Sequence, residues 1–221
     1  MVFLIFFLLI VNHSRRYKIW EQSYANDKLN GEWRTYNLRG TVIRTQQYQN
    51  DSLNGLSRDY WIDGKTIMEE REFFKGSSKY IVRTFYKSGK PEAEQSYENG
   101  FVNGFSKKYY ENGKLSENIT IKGGTPDGPA KRYYEDGTIK EEVTFAHGQF
   151  SNVRKYYYPN GKLWIEQEYN DGLPWTVISN YDETGNKRNA GTLKNGNGTL
   201  ILYNEDGTVR ETLTYENGKE K

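Results

Sequence analysis

The sequence predicts an all-β protein, an elongated antiparallel ribbon of about eight β-hairpin repeats of about 24 residues each. Three observations predict this fold. The 221 residues are 35% hydrophobic, below the ~45–50% of a typical soluble domain, so a thick core is not expected. The 19 Tyr, 10 Phe and 5 Trp are too many for a disordered chain. A turn glycine and an aromatic residue recur together along the chain.

The repeat is defined by an aromatic residue four positions before a turn glycine. These glycines are Gly40, Gly64, Gly89, Gly113, Gly137, Gly161, Gly185 and Gly207. The aromatic residues, which we name the first aromatic row, are Tyr36, Tyr60, Phe85, Tyr109, Tyr133, Tyr157, Tyr181 and Tyr203. An apolar or aromatic set follows eight positions after the glycine, and comprises Tyr48, Tyr97, Ile121, Phe145, Tyr169, Leu193 and Tyr215. The second copy is shifted by a residue, which indicates a bulge or a loop insertion.

The tight turn of each copy is predicted from Pro159-Asn160-Gly161. Proline fixes φ near −65°, so it fits the first central position of a type I turn, with asparagine next and then glycine in the left-handed region as a bulge. This three-residue loop places Tyr133 opposite Ile139, and Tyr109 opposite Leu115. We therefore expect the first aromatic row and the set that follows it to share one dry face. Burial of each ring contributes about 2–3 kcal/mol.

The N-terminal segment, residues 1–12, is separate from the repeat domain, residues 20–221. Residues 1–11 read MVFLIFFLLIV, which is shorter than the ~20 residues of a membrane-spanning helix. The segment resembles the apolar part of an export signal, but no basic residue precedes it and no small-residue cleavage site follows. A short membrane anchor, and a strand or partner-covered segment, are the alternatives. The predicted location is exported or envelope-associated, with the cytoplasm as the alternative.

Charge and cysteine content exclude several classes of site. The net charge is +2 without a polybasic run, so no nucleic acid partner is expected. The absence of Cys excludes disulfides, zinc-thiolate sites and a Cys nucleophile. His147 aligns with turn residues Asn99 and Asp171, so it is interpreted as a turn residue, and His13 as incidental. No metal, cofactor or small-molecule substrate is predicted.

Repeated carboxylates raise the alternative of an enzyme. They are Glu94, Glu117, Glu141, Glu142 and Glu166. Glycoside hydrolysis requires a facing pair of carboxylates, one of them with a raised pKa. These residues are more simply explained as the charged outer face of a sheet, so no catalytic residue is predicted.

Two rows are candidates for partner binding. The basic row consists of Arg34, Arg58, Arg83, Lys107, Lys131 and Lys155. These side chains either cover neighbouring rings and pair with Glu117 or Glu141, or form a ladder for an acidic partner or anionic lipid. The second aromatic row consists of Trp61, Tyr86, Tyr110, Tyr134 and Tyr158. Alternation places it opposite the first row, where it serves either as a docking surface or as a stiffening stack. Within the basic row, Lys107, Lys131 and Lys155 are the binding candidates.

A family resemblance follows from one unit of the repeat. Residues 104–115 read GFSKKYYENGKL, and residues 128–139 read GPAKRYYEDGTI. This unit resembles the MORN-repeat variant of bacterial proteins labelled YwqK-type antitoxins, over about residues 20–221. The resemblance implies a non-catalytic scaffold or protein-binding module, antitoxin-like, that binds a protein partner along its repeats. The alternative is a cell-envelope adaptor held at a membrane by residues 1–12.

Overall fold

The computed structural model describes residues 3–10, 16–204 and 206–221, with side chains from residue 19 onward. The predicted all-β class is confirmed, because these residues form antiparallel strands and no helix. The first nine strands are β1 (Phe3–Ile10), β2 (Arg16–Ala25), β3 (Lys28–Leu29), β4 (Gly31–Tyr36), β5 (Val42–Gln49), β6 (Ser52–Tyr60), β7 (Ile67–Phe73), β8 (Lys79–Phe85) and β9 (Pro91–Glu98). The remaining strands are β10 (Phe101–Tyr109), β11 (Leu115–Lys122), β12 (Thr125–Tyr133), β13 (Ile139–Ala146), β14 (Gln149–Tyr157), β15 (Leu163–Asn170), β16 (Leu173–Asn180), β17 (Gly198–Tyr203), β18 (Val209–Glu216) and β19 (Lys219–Glu220).

The chain divides into two compact units. The first comprises Met1–Gly104 and Glu111–Gly113, and the second comprises Phe105–Tyr110 and Lys114–Lys221. In the first unit, neighbouring strands follow one another from β1 to β9, with the short β3 paired to β2 beside the main path. In the second unit, β11 to β16 are likewise consecutive neighbours, and β17, β18 and β19 form a separate three-stranded sheet. Sequential hairpins therefore build both units.

The predicted three-residue turn is confirmed in the second unit. Tyr134 N–H donates to Thr138 O at 2.8 Å, and Gly137 N–H donates to Tyr134 O at 2.9 Å. Gly137 has a φ of +93°, a left-handed conformation that glycine adopts without steric cost. The resulting register places Tyr133 opposite Ile139, as predicted. The chemistry of the turn residues thus fixes the pairing of the strands.

The irregular second copy contains a loop insertion. Tyr36 pairs with Val42 in the first copy, whereas Tyr60 pairs with Ile67 in the second, one residue farther along. The closing hydrogen bond runs from Trp61 N–H to Thr66 O at 2.8 Å, which leaves a loop of one extra residue. The sequence left a bulge and a loop insertion as explanations of the shifted copy. The structure has a loop insertion, in the tight turn between β6 and β7.

The prediction that the first aromatic row and the apolar or aromatic set that follows it share one dry face is wrong. Tyr157 Oη donates to Glu142 Oε2 at 2.7 Å, so the first aromatic row lies on the Glu142 face. Phe145 lies three residues after Glu142 along β13, so its side chain is on the opposite face of the sheet. There its ring centre lies 5.1 Å from that of Phe150. The cause is a bulge, because the register shifts between Arg132 and Tyr133. One extra residue on β13 reverses the alternation that the sequence analysis carried through the turn.

The second unit leaves the repeat pattern after β16. Residues 181–197, which we name the strandless segment, form isolated bridges such as Tyr181 with Lys187 and Gly191 with Leu200. Leu193, predicted as a strand residue of the apolar or aromatic set, lies in this segment instead and is 2% exposed in a compact core. That core consists of Ile165, Leu193, Leu200 and Tyr215. The end of the second unit is therefore closed by apolar packing.

The apolar start contributes a strand. Phe3–Ile10 (β1) pairs antiparallel with β2, with Phe3 opposite Tyr24 and Ile10 opposite Arg16. The sequence left an export signal, a membrane anchor and a strand or partner-covered segment as explanations, and the described backbone agrees with the strand. Its processing and the location of the protein stay predictions. The exit from the segment, residues 11–15 including His13, lies outside the described residues.

Candidate partner-binding site

The basic row is engaged with carboxylates in the second unit. Lys131 Nζ lies 2.6 Å from Glu142 Oε1, and Lys155 Nζ lies 3.1 Å from Glu166 Oε1. Lys107 Nζ lies 4.7 Å from the centre of the Phe105 ring. The row therefore follows the paired interpretation rather than that of an open basic ladder. The partners differ from the predicted Glu117 and Glu141, because the bulge moves those two carboxylates to the opposite face.

Glu141 is the centre of a buried charge cluster on that opposite face. It is 3% exposed, and Arg132 Nη1 lies 2.6 Å from its Oε2. Arg154 Nε contacts its other oxygen at 2.5 Å and stacks over Phe150 at 4.2 Å. Burial lowers the pKa of Arg132, but its hydrogen bonds to Glu117 and Glu141 outweigh burial and raise it. These charges satisfy one another and hold neighbouring strands together.

The second aromatic row links consecutive repeats along the edge that carries the tight turns. Tyr110 Oη donates to Tyr133 O at 2.6 Å, Tyr134 Oη to Tyr157 O at 2.7 Å, and Tyr158 Oη to Tyr181 O at 2.9 Å. The five rings of the row, Trp61 and Tyr86 included, are half-buried. The hydroxyl groups are committed to these bonds, so the exposed parts of the rings are what the row presents to a partner.

The row leads into a cavity at the end of the second unit. This ring-and-arginine cavity has a volume of about 450 Å³ and is lined among others by Tyr134, Tyr158, Trp164, Arg188, Tyr203 and Arg210. Tyr158 stacks on Trp164 with ring centres 5.6 Å apart. Such a volume lies within the range of ligand pockets in proteins. Two of the predicted binding residues, Tyr134 and Tyr158, are thus brought together here.

The electrostatics of the ring-and-arginine cavity favour an anion. The Arg188 guanidinium lies over the Tyr203 ring at 4.9 Å. Within the described part of the chain, no carboxylate lies at salt-bridge distance from Arg188 or Arg210, and Glu183 is the acidic residue on the lining. Burial raises the pKa of Tyr158, so this phenol is neutral at physiological pH. Two cations beside flat rings can bind a carboxylate or phosphate group with an attached apolar part.

A second cavity shares the Trp164 side chain. This Trp164–Asn180 cavity has a volume of about 310 Å³ and is lined by Tyr156, Trp164, Ile165, Gln167, Asn180 and Leu202. Asn180 is 1% exposed, and its Nδ2 donates to Ile201 O at 3.4 Å. Its Oδ1 is buried and accepts no hydrogen bond from the described residues. The walls of the cavity are thus mostly apolar, and the unmatched acceptor of Asn180 is closed to solvent.

The catalytic alternatives receive no support from geometry. His147 has a φ of +49° in its outer turn, close to the +52° of Asn99, and its side chain is 95% exposed, so it is a turn residue. Lys131 and Tyr157 lower the pKa of Glu142, opposite to what a general acid needs. Across the described residues, no group of three His, Cys, Asp or Glu side chains could hold a metal ion. In the same part of the chain, no helix has the length and apolarity of a membrane span.

Four residues of the two cavities were not predicted from the sequence. Three of them lie three positions after a turn glycine, namely Trp164, Arg188 and Arg210. The copy that precedes the Trp164 copy has Lys140 at this position. Earlier copies have Ile43, Glu92 and Ser116 at that position. The change at this position, from unrelated residues in the early copies to cations and a tryptophan in the late copies, could have indicated a binding site from the sequence. Asn180 gave none, because its burial depends on the strandless segment.

Comparison with known proteins agrees with the repeat architecture. Five segments of the chain match the family model described as MORN repeat variant, over residues 81–99, 103–122, 126–147, 152–171 and 197–217. The five matches cover just under half of the chain and leave out residues 172–196, which include the strandless segment except its last residue. No curated protein matches the chain. MORN repeats are generally associated with protein or membrane binding.

Proposed function

We propose that this protein is a non-catalytic binding module that holds a protein partner at the ring-and-arginine cavity. The observation that carries the proposal is the lining of that cavity, where Arg188 and Arg210 stand together with the rings of Tyr158, Trp164 and Tyr203. Arginine and large aromatic side chains are the residues most enriched at the energetic centres of protein interfaces. The partner contributes an acidic segment.

The charge distribution supports the choice of this surface over the basic row. Lys131 and Lys155 already pair with Glu142 and Glu166, so a partner's carboxylate would have to displace an existing ion pair. Arg188 and Arg210 have no ion pair with a carboxylate of the described residues, so a partner's carboxylate would displace none there. The half-buried rings of Tyr110 and Tyr134 extend the contact surface along the turn edge. Docking therefore centres on the last copies, with the second aromatic row as its continuation.

The proposal is tested by pull-down with two charge-matched variants. Arg188→Gln combined with Arg210→Gln removes the two cavity cations. Lys187→Gln combined with Lys194→Gln removes two exposed cations outside it and serves as the control. A specific partner should be lost from the first variant and retained by the second, with both folded by circular dichroism. Equal recovery from both variants would contradict the proposal.

The second aromatic row is tested separately. Trp61→Ala lies in the first unit, and Tyr134→Ala lies in the cavity of the second. We expect Tyr134→Ala to weaken partner recovery strongly, and Trp61→Ala to weaken it little. An equal effect of both would show that the whole row is the docking surface. An antitoxin-like role would be one case of this function, in which the partner is a toxin that docking inhibits.

The second candidate function is a cell-envelope adaptor, and the composition of residues 1–11 favours it. An apolar strand at the start of the chain can associate with lipid or with another protein. Cell fractionation of the full chain and of a chain lacking residues 1–12 distinguishes the two functions. Membrane recovery that requires residues 1–12 would support the adaptor. Soluble recovery of both forms would support the binding module without an envelope role.

A further inference from the structure

We propose that the tight-turn edge of the first unit is a membrane-contacting surface, where two exposed aliphatic side chains enter an anionic lipid layer and neighbouring cations bind its headgroups. We name this surface the turn-tip patch, and it comprises Leu38, Arg39, Ile62, Lys65, Lys87 and Lys90. The inference goes beyond the proposed function, since it depends neither on the ring-and-arginine cavity nor on residues 1–12.

The two aliphatic side chains lie at the tips of neighbouring turns. Leu38 is 70% exposed in the turn between β4 and β5, and Ile62 is 81% exposed in the turn between β6 and β7. They are the two most exposed large hydrophobic side chains of the described residues. Because β5 pairs with β6 in an antiparallel sheet, both tips lie on the same edge. Exposed apolar residues that lie together mark a contact site for a protein or a membrane.

The turns themselves hold these tips in place. Asn37 Oδ1 accepts hydrogen bonds from two backbone N–H groups of its turn, at 2.9 and 3.0 Å. Asp63 Oδ1 accepts two from the next turn, each at 2.9 Å. A Cβ on Gly64 would overlap the Thr41 side chain, so the two turns also pack directly against each other. The aliphatic side chains are therefore presented to solvent by an ordered edge.

The turns of the first unit differ in residue type from several later turns of the repeat. At the position of Leu38 and Ile62, later copies have Glu111, Glu135 and Glu183. Residues 134–138, 182–186 and 204–208 each include two acidic residues and no basic residue. An anionic surface repels such turns. The combination of aliphatic and basic residues is thus a property of the first copies and is not required by the hairpin.

The basic side chains of the patch are available to an anionic surface. All four are exposed, and within the described part of the chain none of them forms an ion pair with a carboxylate. The acidic residue of these three turns is Asp63, and hydrogen bonds from Thr66 and from the backbone lower its pKa to about 2. Four cations against one carboxylate leave an excess of positive charge. Basic residues next to a membrane surface are attracted to anionic lipid headgroups.

The shape of the patch favours a lipid layer over a partner's side chain. Leu38 and Ile62 project from the edge, and neither lines the two cavities of the second unit. A projecting side chain has to enter the surface that it contacts. A membrane provides an apolar interior for the tips and an anionic headgroup layer for the cations beside them. The strength of such binding increases with the inserted apolar area and with the attraction to anionic lipid.

The direct test places a fluorophore at one tip. The chain has no Cys, so Ile62→Cys can be labelled specifically with NBD, whose emission shifts to the blue in a lipid layer. The control is Phe101→Cys, an exposed apolar position beside an outer turn of the same unit. With vesicles of phosphatidylcholine and phosphatidylglycerol, we expect the shift at position 62, together with quenching by acyl-chain spin labels. Position 101 should show neither.

The labelled proteins also separate the patch from residues 1–12. A chain held at the membrane by residues 1–12 alone would bind the vesicles without a shift at position 62, and this result would overturn the inference. Equal shifts at positions 62 and 101, or no binding to the vesicles, would overturn it as well. A shift of the same size with phosphatidylcholine alone would contradict the role of the cations.

Charge-matched variants test the basic residues by vesicle sedimentation. Arg39→Gln combined with Lys65→Gln should weaken binding by about 10- to 25-fold, because each basic residue near an anionic surface contributes about 5-fold. Lys28→Gln combined with Lys75→Gln removes two exposed cations from outer turns of the same unit and should leave binding unchanged. Equal losses in the two double variants would overturn the assignment of the headgroup contact.

The aliphatic tips are tested in the same assay. Leu38→Ser combined with Ile62→Ser should weaken binding by at least about 10-fold, since the inserted apolar area is lost, and Phe101→Ser should not. Sedimentation of the unlabelled wild type decides the matter even where a variant fails to fold, because binding that does not require phosphatidylglycerol would overturn the inference. Partner recovery that depends on Arg188 and Arg210 is measured without vesicles, so either proposal can fail alone.

Discussion

The regular hairpins of the second unit, from β11 to β15, differ from its end, from β16 to β19, in what they bury. In the regular hairpins the buried residues include Ala130, Val143 and the charged Glu141, and the one large aliphatic among them, Ile165, belongs to the core of the end. At the end they include large aliphatic side chains, Leu193 and Leu200, which pack with Tyr215. Identical hairpins placed side by side present flat surfaces. The end departs from the repeat and thereby forms both a core and two cavities.

The two cavities lie where the strandless segment interrupts the repeat. A strand in the position of residues 187–194 would continue the repeat, but the strandless segment replaces it and covers Ile165. The walls of the two cavities come from the strands and turns on either side of that segment and, in the ring-and-arginine cavity, also from Glu183 and Arg188 within it. The interruption of the repeat supplies the concave surface on which the proposed binding depends.

The largest expected effect is a core truncation at the end of the second unit. Leu193→Ala should lower the free energy of unfolding by about 2–5 kcal/mol, because it opens a cavity in a well-packed core. Leu115→Ala, at a half-buried position of a regular hairpin, should lower it by less than about 2 kcal/mol. Urea unfolding followed by circular dichroism measures both. Equal losses would show that the two regions are stabilised in the same way.

The next effect concerns the charge cluster of the regular hairpins. Glu141→Gln leaves Arg132 and Arg154 without their shared carboxylate, and we expect a loss of about 1–3 kcal/mol. Glu166→Gln removes a more exposed pair with Lys155 and should change stability by less than about 1 kcal/mol. A neutral outcome for Glu141→Gln would show that the buried cluster does not stabilise the hairpins.

The face error of the sequence analysis has a local physical cause. The chemistry of Pro159-Asn160-Gly161 predicts the turn, and the turn predicts that Tyr133 lies opposite Ile139. The alternation of faces, however, depends on where the extra residue of the bulge is accommodated, and that is decided by pairing between strands. Leu193 was misplaced for a related reason, since its burial depends on a segment that leaves the sheet. The cavities require this tertiary arrangement and could not be predicted from the repeat.

A smaller effect is expected for the hydroxyl ladder. Tyr158→Phe removes the hydrogen bond to Tyr181 O, which joins the regular hairpins to the end, and should cost about 0.5–1.5 kcal/mol. Tyr110→Phe removes the corresponding bond to Tyr133 O between regular hairpins and is the matched control. Thermal unfolding of both variants measures the difference. A larger loss for Tyr158→Phe would indicate that the end unfolds cooperatively with the hairpins.

The smallest effect is a dependence on acid. Lys131 and Tyr157 lower the pKa of Glu142, so Glu142 contributes stability above its unfolded pKa near 4.5, and this contribution is lost as the pH falls through the lower, folded value. Because this pair is partly exposed, the loss should be less than about 1 kcal/mol. Urea midpoints between pH 6 and pH 3 should fall less steeply for Glu142→Gln than for the wild type. Equal slopes would contradict the assignment.

The most direct test of the account is site-specific photo-crosslinking in cells. The photoreactive amino acid p-benzoylphenylalanine would replace Asn204 on the ring-and-arginine cavity and, as a control, Lys87 in a regular turn of the first unit. We predict one discrete adduct from position 204, diminished when Arg188 and Arg210 are changed to Gln, and none from position 87. Adducts from both positions in equal amount, or an adduct at position 204 that persists without the two arginines, would contradict the claim that binding is centred where the repeat is interrupted.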